Sequence, residues 1–272
     1  MCFDTLFYLI DEYLKNSFHK EDKQVTMSDS EIIFAYLVSF QYFSGNYFKT
    51  LFFLKQSKLM SKILSSSRFS RRLNRLKNKI EEITGLLFEI AKSKSDREFC
   101  IDSFPLEVCK LVRIKRCKLV HGKEYLGFNA SKDEYYYGFK IHLVVSRAGG
   151  IVEFGVTPAS KHDGIAFKIF NFDLPKKSKV YGDKAFNNYL EEELLLDCAN
   201  VDFLPVRKSN SKKPDNTVSS NYIRKSKRKI IESFIGNIQG LFPKKIHSTN
   251  IDGFLLKIVG FILSYNFFNI FA

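Results

Sequence analysis

Tryptophan is absent from the 272 residues, and acids are scarce beside bases, with 29 Asp and Glu against 43 Lys and Arg. The five cysteines (Cys2, Cys100, Cys109, Cys117, Cys198) are odd in number and no two stand at C-x-x-C spacing. Neither a disulfide framework nor a zinc knuckle is suggested by this, and a reducing, cytoplasmic compartment fits better. The opening Met-Cys-Phe-Asp-Thr has no basic n-region and no small-residue cleavage site, so no export signal is read there. Long apolar runs are missing too. The stretch from Ile258 to Ala272 is about 15 residues, shorter than a membrane span, and it contains Asn266 and Asn269. It reads as a buried C-terminal helix, with no membrane partner. The missing tryptophan, together with heavy use of Phe, Lys, Ile and Asn, reads as coding bias and carries no mechanism. No internal repeat or low-complexity tract is visible.

What is present is positive charge. The formal net charge is +14 and the pI about 9.4. A polyanionic partner follows, nucleic acid being the commonest, with a merely basic enzyme as the plain alternative. Between Pro205 and His247 eleven lysines and arginines accompany only two acids, Asp215 and Glu232.

Length and pattern give two regions. Residues 1–95 read as helical: an amphipathic run from Thr5 to Lys15, a capping box at Ser28-Asp29-Ser30-Glu31, and a helix from Arg68 to Leu87. On that last helix Phe69, Leu73, Leu76, Ile80 and Ile83 recur on one face, while Arg68, Arg71, Arg72, Arg75 and Lys79 line another. Such a stripe can lie along DNA phosphates, or it can be an ordinary solvated face. After the polar segment 91–98 the periodicity changes, and residues 96–272 form the second region. Strands are read at Phe99–Ile101, Tyr135–Val145, Ile151–Thr157, Lys179–Tyr181 and Val201–Val206, with a hairpin at Ala148-Gly149-Gly150. Helices are read around Asn188–Cys198 and over Asn221–Leu241. Three strands in hairpin order followed by strands alternating with helices predict an α/β fold, a mixed five-stranded sheet with flanking helices.

Carboxylates are the natural ligands of the hard divalent ions that assist phosphodiester chemistry. Asp102 follows the apolar run Phe99-Cys100-Ile101 and precedes Pro105, which predicts a carboxylate at a strand end. Asp183 repeats this in Val180-Tyr181-Gly182-Asp183. Glu232 lies on a helix whose apolar side is Ile231, Phe234, Ile235, Ile238 and Phe242. Each has a structural alternative: a turn cap for Asp102, a helix cap for Asp183, and for Glu232 an exposed pair with Arg228. His142 reads as a packed strand residue, and His162 and Asp163 receive no catalytic role.

In their flanks these three acids resemble the blocks of DDE transposases of bacterial insertion sequences, through Ile-Asp-Ser-Phe-Pro, Gly-Asp-Lys-Ala-Phe and Arg-x-x-x-Glu. The group of insertion sequence 982 is the most similar. Tyr137-Gly-Phe-Lys-Ile-His142, Thr157-Pro-Ala-Ser-Lys-His-Asp163 and Leu204-Pro-Val-Arg-Lys208 agree with it in order, over about residues 100–272. Met27-Ser-Asp-Ser-Glu-Ile32 and Ser67-Arg-Phe-Ser-Arg-Arg72 extend the likeness weakly toward the N-terminus. The resemblance implies a ribonuclease-H-like core with Asp102, Asp183 and Glu232 as catalytic metal ligands for Mg²⁺ or Mn²⁺, two ions in all. It also implies cleavage at element ends and strand transfer. Partners would be double-stranded DNA, namely terminal inverted repeats and target, with a homodimer on DNA and a nucleoid-associated location. Arg68, Arg71, Arg72, Arg75, Lys184, Arg207, Lys208 and Arg228 are the expected DNA contacts, the first four within a helical region that would bind element ends. A Tyr, Arg, Glu, Lys signature seen on the glutamate helix of related transposases is only half kept, because Lys225 and Gln239 stand at two of its positions. A nuclease without strand transfer and an inactive DNA-binding remnant are the alternatives.

Overall fold

The computed structural model describes residues 3–22, 24–130, 132–207 and 218–271, leaving aside the side chains at 218, 219, 221, 228, 230 and 231. Two compact units result, one formed by Met1–Leu87 with Leu241–Ala272 and the other by Phe88–Gly240. The C-terminal helix therefore groups with the N-terminal helices and not with the sheet.

The helical unit contains α1 (Phe3–Asn16), α2 (Asp29–Tyr42), α3 (Tyr47–Gln56), α4 (Ser66–Arg75), most of α5 (Lys77–Ser93) and α9 (Ile251–Ile270). The capping box forms as expected: the Ser28 hydroxyl accepts from Glu31 N–H, and the Glu31 carboxylate accepts from Ser28 N–H. From Ile32 to Phe40 every residue of α2 is buried, so this helix is the centre of the unit. The Tyr36 hydroxyl donates to the Leu256 carbonyl at 2.6 Å, joining α2 to α9. Phe40 and Phe261 meet edge to face at 4.6 Å. Gly260 permits that approach, since a Cβ there would stand 2.1 Å from a Phe40 ring carbon. By length and composition α9 could cross a membrane, yet 61% of its apolar window is buried inside the protein. The expected buried helix begins seven residues earlier than the apolar run suggested.

The helix read as continuous from Arg68 to Leu87 breaks at Leu76, which caps α4, and α5 restarts at Lys77. Phe69, Leu73, Leu76, Ile80 and Ile83 are all buried nonetheless. The break keeps the apolar residues facing inward on both helices, which is why periodicity alone did not reveal it.

The second unit is built on β1 (Glu98–Cys109), β2 (Leu126–Asn129), β3 (Glu134–Ser146), β4 (Ile151–Pro158), β5 (Ser178–Gly182) and β6 (Val201–Pro205). They form one sheet in the order β2-β3-β1-β5-β6, with β4 also paired to β3. β2 takes Tyr137 to Glu134 of β3, and β4 takes Val145 to Phe139. Both lie end to end on one edge of β3, so six strands fill five lanes. β1 and β3 are antiparallel, whereas β5 and β6 run parallel to β1 and to each other. The short helix α6 (Ala166–Ile169), α7 (Tyr189–Ala199) and α8 (Val218–Leu241) complete the unit. Three antiparallel lanes followed by two parallel ones, with helices alongside, are the ribonuclease-H-like arrangement expected. Central strand β3 is buried on both faces from Ile141 to Ser146. At the β3–β4 hairpin Gly149 has φ +89°, the left-handed region that glycine adopts without strain.

The sequence reading missed β2 and ended β1 eight residues early. Pro105 predicts a stop to pairing, but β1 continues against β3 as far as Cys109. Its other edge pairs with β5 only from Glu98 to Cys100. A strand with one edge unpaired tolerates a residue that lacks an N–H donor.

Candidate active site

Asp102 is thus inside a long strand, not at its end. It nevertheless lies two residues past Cys100, the last residue of β1 paired with β5, at the fork where the two strands part. Cys100 is level with Tyr181, and two residues further on each strand stand Asp102 and Asp183. Asp183 remains extended (φ −76°, ψ 171°). Equivalent residues of neighbouring parallel strands point to the same face, and neighbouring strands are about 4.8 Å apart. The register therefore puts the two aspartates at the same level just past the fork, each two residues beyond the last β1–β5 pair and both half-buried. Asp102 Oδ1 accepts from Ser103 N–H at 2.8 Å, and Asp183 Oδ1 from Lys184 N–H at 2.6 Å. Gly182, packed close to Ile101 and Phe203, brings β5 near its neighbours just before Asp183.

The sheet face opposite Asp102 carries a polar chain. Ser103 pairs across the sheet with His142, and its hydroxyl donates to Asp163 Oδ1 at 2.7 Å. Lys140 Nζ lies 3.1 Å from the same oxygen. Burial pushes the Asp163 carboxyl up, but the bonds from Ser103 and then Lys140 outweigh it and hold the pKa below the usual value. His142 is fully buried, with Nε2 at 2.9 Å from Thr157 Oγ1, and burial lowers its pKa to about 4. It is the packed strand residue that its alternation predicted. The sequence reading left Asp163, Ser103, Lys140 and Thr157 without roles. The signal was available, because all four come from blocks quoted for the resemblance. His162 is exposed and its Nδ1 accepts from Gly164 N–H, a local turn contact.

Helix α8 packs on the face that carries Asp102. Lys227 Nζ reaches Glu98 at 2.8 and 2.9 Å, and Glu98 has the same parity on β1 as Asp102. Burial raises the Glu98 pKa, yet Lys227 and then Arg147 bring it below its ordinary value. Arg224 bonds the Pro205 carbonyl at the far end of β6, so α8 runs from the carboxyl end of the parallel strands toward their amino end. Glu232 lies exposed beyond Lys227, and two residues later Phe234 packs against the position of Gly149 at the β3–β4 hairpin. Both neighbours that bracket Glu232 thus touch the amino-terminal end of the sheet. Among the described residues no group of three or more His, Cys, Asp and Glu side chains could hold a metal ion. Asp102 and Asp183 stand at one level past the β1–β5 fork, while Glu232 lies between Lys227 and Phe234, whose contacts are at the other end of the sheet.

The expected DNA contacts divide likewise. Arg68, Arg71, Arg75 and Lys184 are exposed. Arg72 instead turns inward, paired with Asp29 and, at 3.3 Å, with Glu21. Arg207 is a correction. Its side chain is only 4% exposed and grips Glu192 bidentately at 2.6 and 2.7 Å, with Asn187 at 3.1 Å and the Tyr189 ring at 5.3 Å. A guanidinium is the least costly cation to bury against a carboxylate, because its fork satisfies both oxygens. Asn187 also donates to the carbonyls of Lys184 and Val206, so Arg207 braces the loop that follows Asp183. Lys208 and the side chain of Arg228 lie outside the described residues.

This mixed sheet with flanking helices is consistent with a ribonuclease-H-like DDE core. Residues 92–248, more than half of the chain, match the family model described as Transposase DDE domain. The chain belongs to that family. No curated protein matches it.

Proposed function

We propose that the protein is the transposase of an insertion sequence, of the group of insertion sequence 982, which cuts DNA at its element's ends and joins them to target DNA. The observation that carries the reading is the shared level of Asp102 and Asp183 at the β1–β5 fork. Hard carboxylate oxygens at strand spacing suit Mg²⁺ or Mn²⁺. When bound there, such ions would polarise the scissile phosphate and lower the pKa of the attacking water. Asp102 and Asp183 would hold them. Ser103, fixed by Asp163, keeps the Asp102 backbone in place, and Lys184 at the fork neutralises a phosphate of the bound strand. Hydrolysis at an element end frees a 3′-hydroxyl, and that oxygen then attacks a phosphorus of the target strand while the target's own 3′-oxygen leaves.

Glu232 is the third carboxylate in this proposal, and it joins the pair only when α8 advances along the sheet toward the fork. Its place between Lys227, which bonds Glu98, and Phe234, which packs at Gly149, favours a second reading, a DNA-binding remnant that no longer cuts. The two are separated by incubating the purified chain with DNA bearing an element end and Mg²⁺ or Mn²⁺. Metal-dependent nicks and joined products support the transposase. Nicks without joined products leave a nuclease, and binding without nicks leaves the remnant.

A further inference from the structure

The helical unit holds a cavity of about 640 Å³, within the range of small-molecule sites. Its wall comes from the α2–α3 turn, the start of α3, Ser66, and the segment joining α8 to α9. Lys49, Lys245, Lys257 and His247 line it, and no Asp or Glu does. Among the described residues none of the three lysines has a carboxylate partner within 4 Å. Lys257 is the most informative. Its ammonium donates to the His247 carbonyl at 2.6 Å and stands 5.1 Å from the centre of the Tyr47 ring, and burial lowers its pKa. A half-buried ammonium whose partners among the described residues are a carbonyl and a ring gains most from an anion.

The remaining wall is aromatic. Tyr42 and Phe48 line the cavity with 53% and 69% of each exposed. The N-terminus of the ten-residue helix α3 opens beside them, capped by Asn46, and its peptide dipoles add to the positive potential. Lysines without acids select for phosphate, while exposed rings offer the stacking faces used for unpaired bases. A concave site of this size admits one nucleotide but not a paired duplex.

We propose that this cavity is a binding site for a single phosphorylated nucleotide, its phosphate held by Lys257, Lys49 and Lys245 and its base stacked on Tyr42 or Phe48. The nucleotide can come from the unpaired end of a DNA strand or from free nucleotide. The site lies within the helical unit, so it stands independently of whether the aspartate pair cuts DNA.

The test uses the full chain and fluorescence anisotropy of a labelled 5′-phosphorylated oligothymidylate, with thymidine monophosphate and inorganic phosphate as competitors. Lys257→Gln and the exposed pair Lys49→Gln/Lys245→Gln should each weaken binding about tenfold, and Tyr42→Ala/Phe48→Ala about as much. Lys62→Gln, an exposed lysine outside the cavity, should leave binding unchanged. Effective competition by thymidine monophosphate identifies a free-nucleotide site, and competition only by phosphorylated oligonucleotides identifies a strand-end site. The proposal is overturned if the exposed Lys49→Gln/Lys245→Gln variant binds within twofold of the parent. It is equally overturned if an oligoglutamate competes as well as the nucleotide, or if the aromatic variant binds normally.

Discussion

Replacing Arg207 by Ala tests whether this arginine serves the fold or the DNA. Both partners of the Arg207–Glu192 pair are 4% exposed, so the figure of under about 1 kcal/mol typical of surface pairs does not apply. Removing the guanidinium takes the bidentate bond from the buried Glu192 carboxylate and one bond from Asn187 on the loop after Asp183. Breaking such a buried pair costs about 3 to 5 kcal/mol, a hundredfold or more in the folding equilibrium at about 1.36 kcal/mol per tenfold. With a slope of about 2 kcal/mol per molar urea, the midpoint should fall by about 1.5 to 2.5 M. The chain has two units, so the transition to follow is that of the sheet unit, read by protease protection of β5 and β6 fragments during urea titration. The double variant Arg207→Met/Glu192→Leu removes both charges together and should recover most of the loss. A loss below about 1 kcal/mol for Arg207→Ala, accompanied by weakened DNA binding, would refute the structural role and restore the arginine to the DNA surface.

Three further outcomes are expected. His142 is buried neutral, with its pKa lowered from 6.5 to about 4. Its contribution to stability is therefore complete above about pH 6.5 and is lost as pH falls toward 4, at up to about 1.36 kcal/mol per pH unit; His142→Gln should flatten that slope in denaturation curves, and an unchanged slope would contradict the assignment. Gly260→Val places a side chain against the fully buried Phe40 ring and should lower stability by about 1 to 3 kcal/mol, seen as a lower melting temperature of the helical unit. Asp163→Asn weakens the bonds from Ser103 and Lys140 and should cut metal-dependent DNA cleavage about ten- to a hundredfold with the fold intact, whereas full activity would show that Asp102 needs no such support.

The order of strands was legible because each lane has its own apolar run and turn signal, from Gly149-Gly150 at the hairpin to the alternation of Val201 to Val206. β1 was read short because Pro105 is a strong local breaker, and only the unpaired edge beside it, a tertiary fact, lets the strand continue. β2 was missed because Leu126-Gly-Phe-Asn129 is four residues long and contains a glycine. The arginine stripe was half legible: spacing put Arg72 with Arg68 and Arg71, but the acids that turn it inward are Glu21 and Asp29, 51 and 43 residues away. Arg207 was misread for the same reason, since a basic residue in a basic stretch gives no sign of a buried glutamate on another helix. Two strand ends are the wrong reason for pairing Asp102 with Asp183. Their common level comes from the parallel register of β1 and β5, not from two strand ends.

The central claim is that these two aspartates together form the ion-binding part of the site. Calorimetric titration of the full chain with Mn²⁺, repeated on Asp102→Asn and on Asp183→Asn, tests it directly. Binding to the parent chain that each substitution weakens at least tenfold, with no loss of folding, is the predicted result; undiminished Mn²⁺ binding by either folded variant would contradict it.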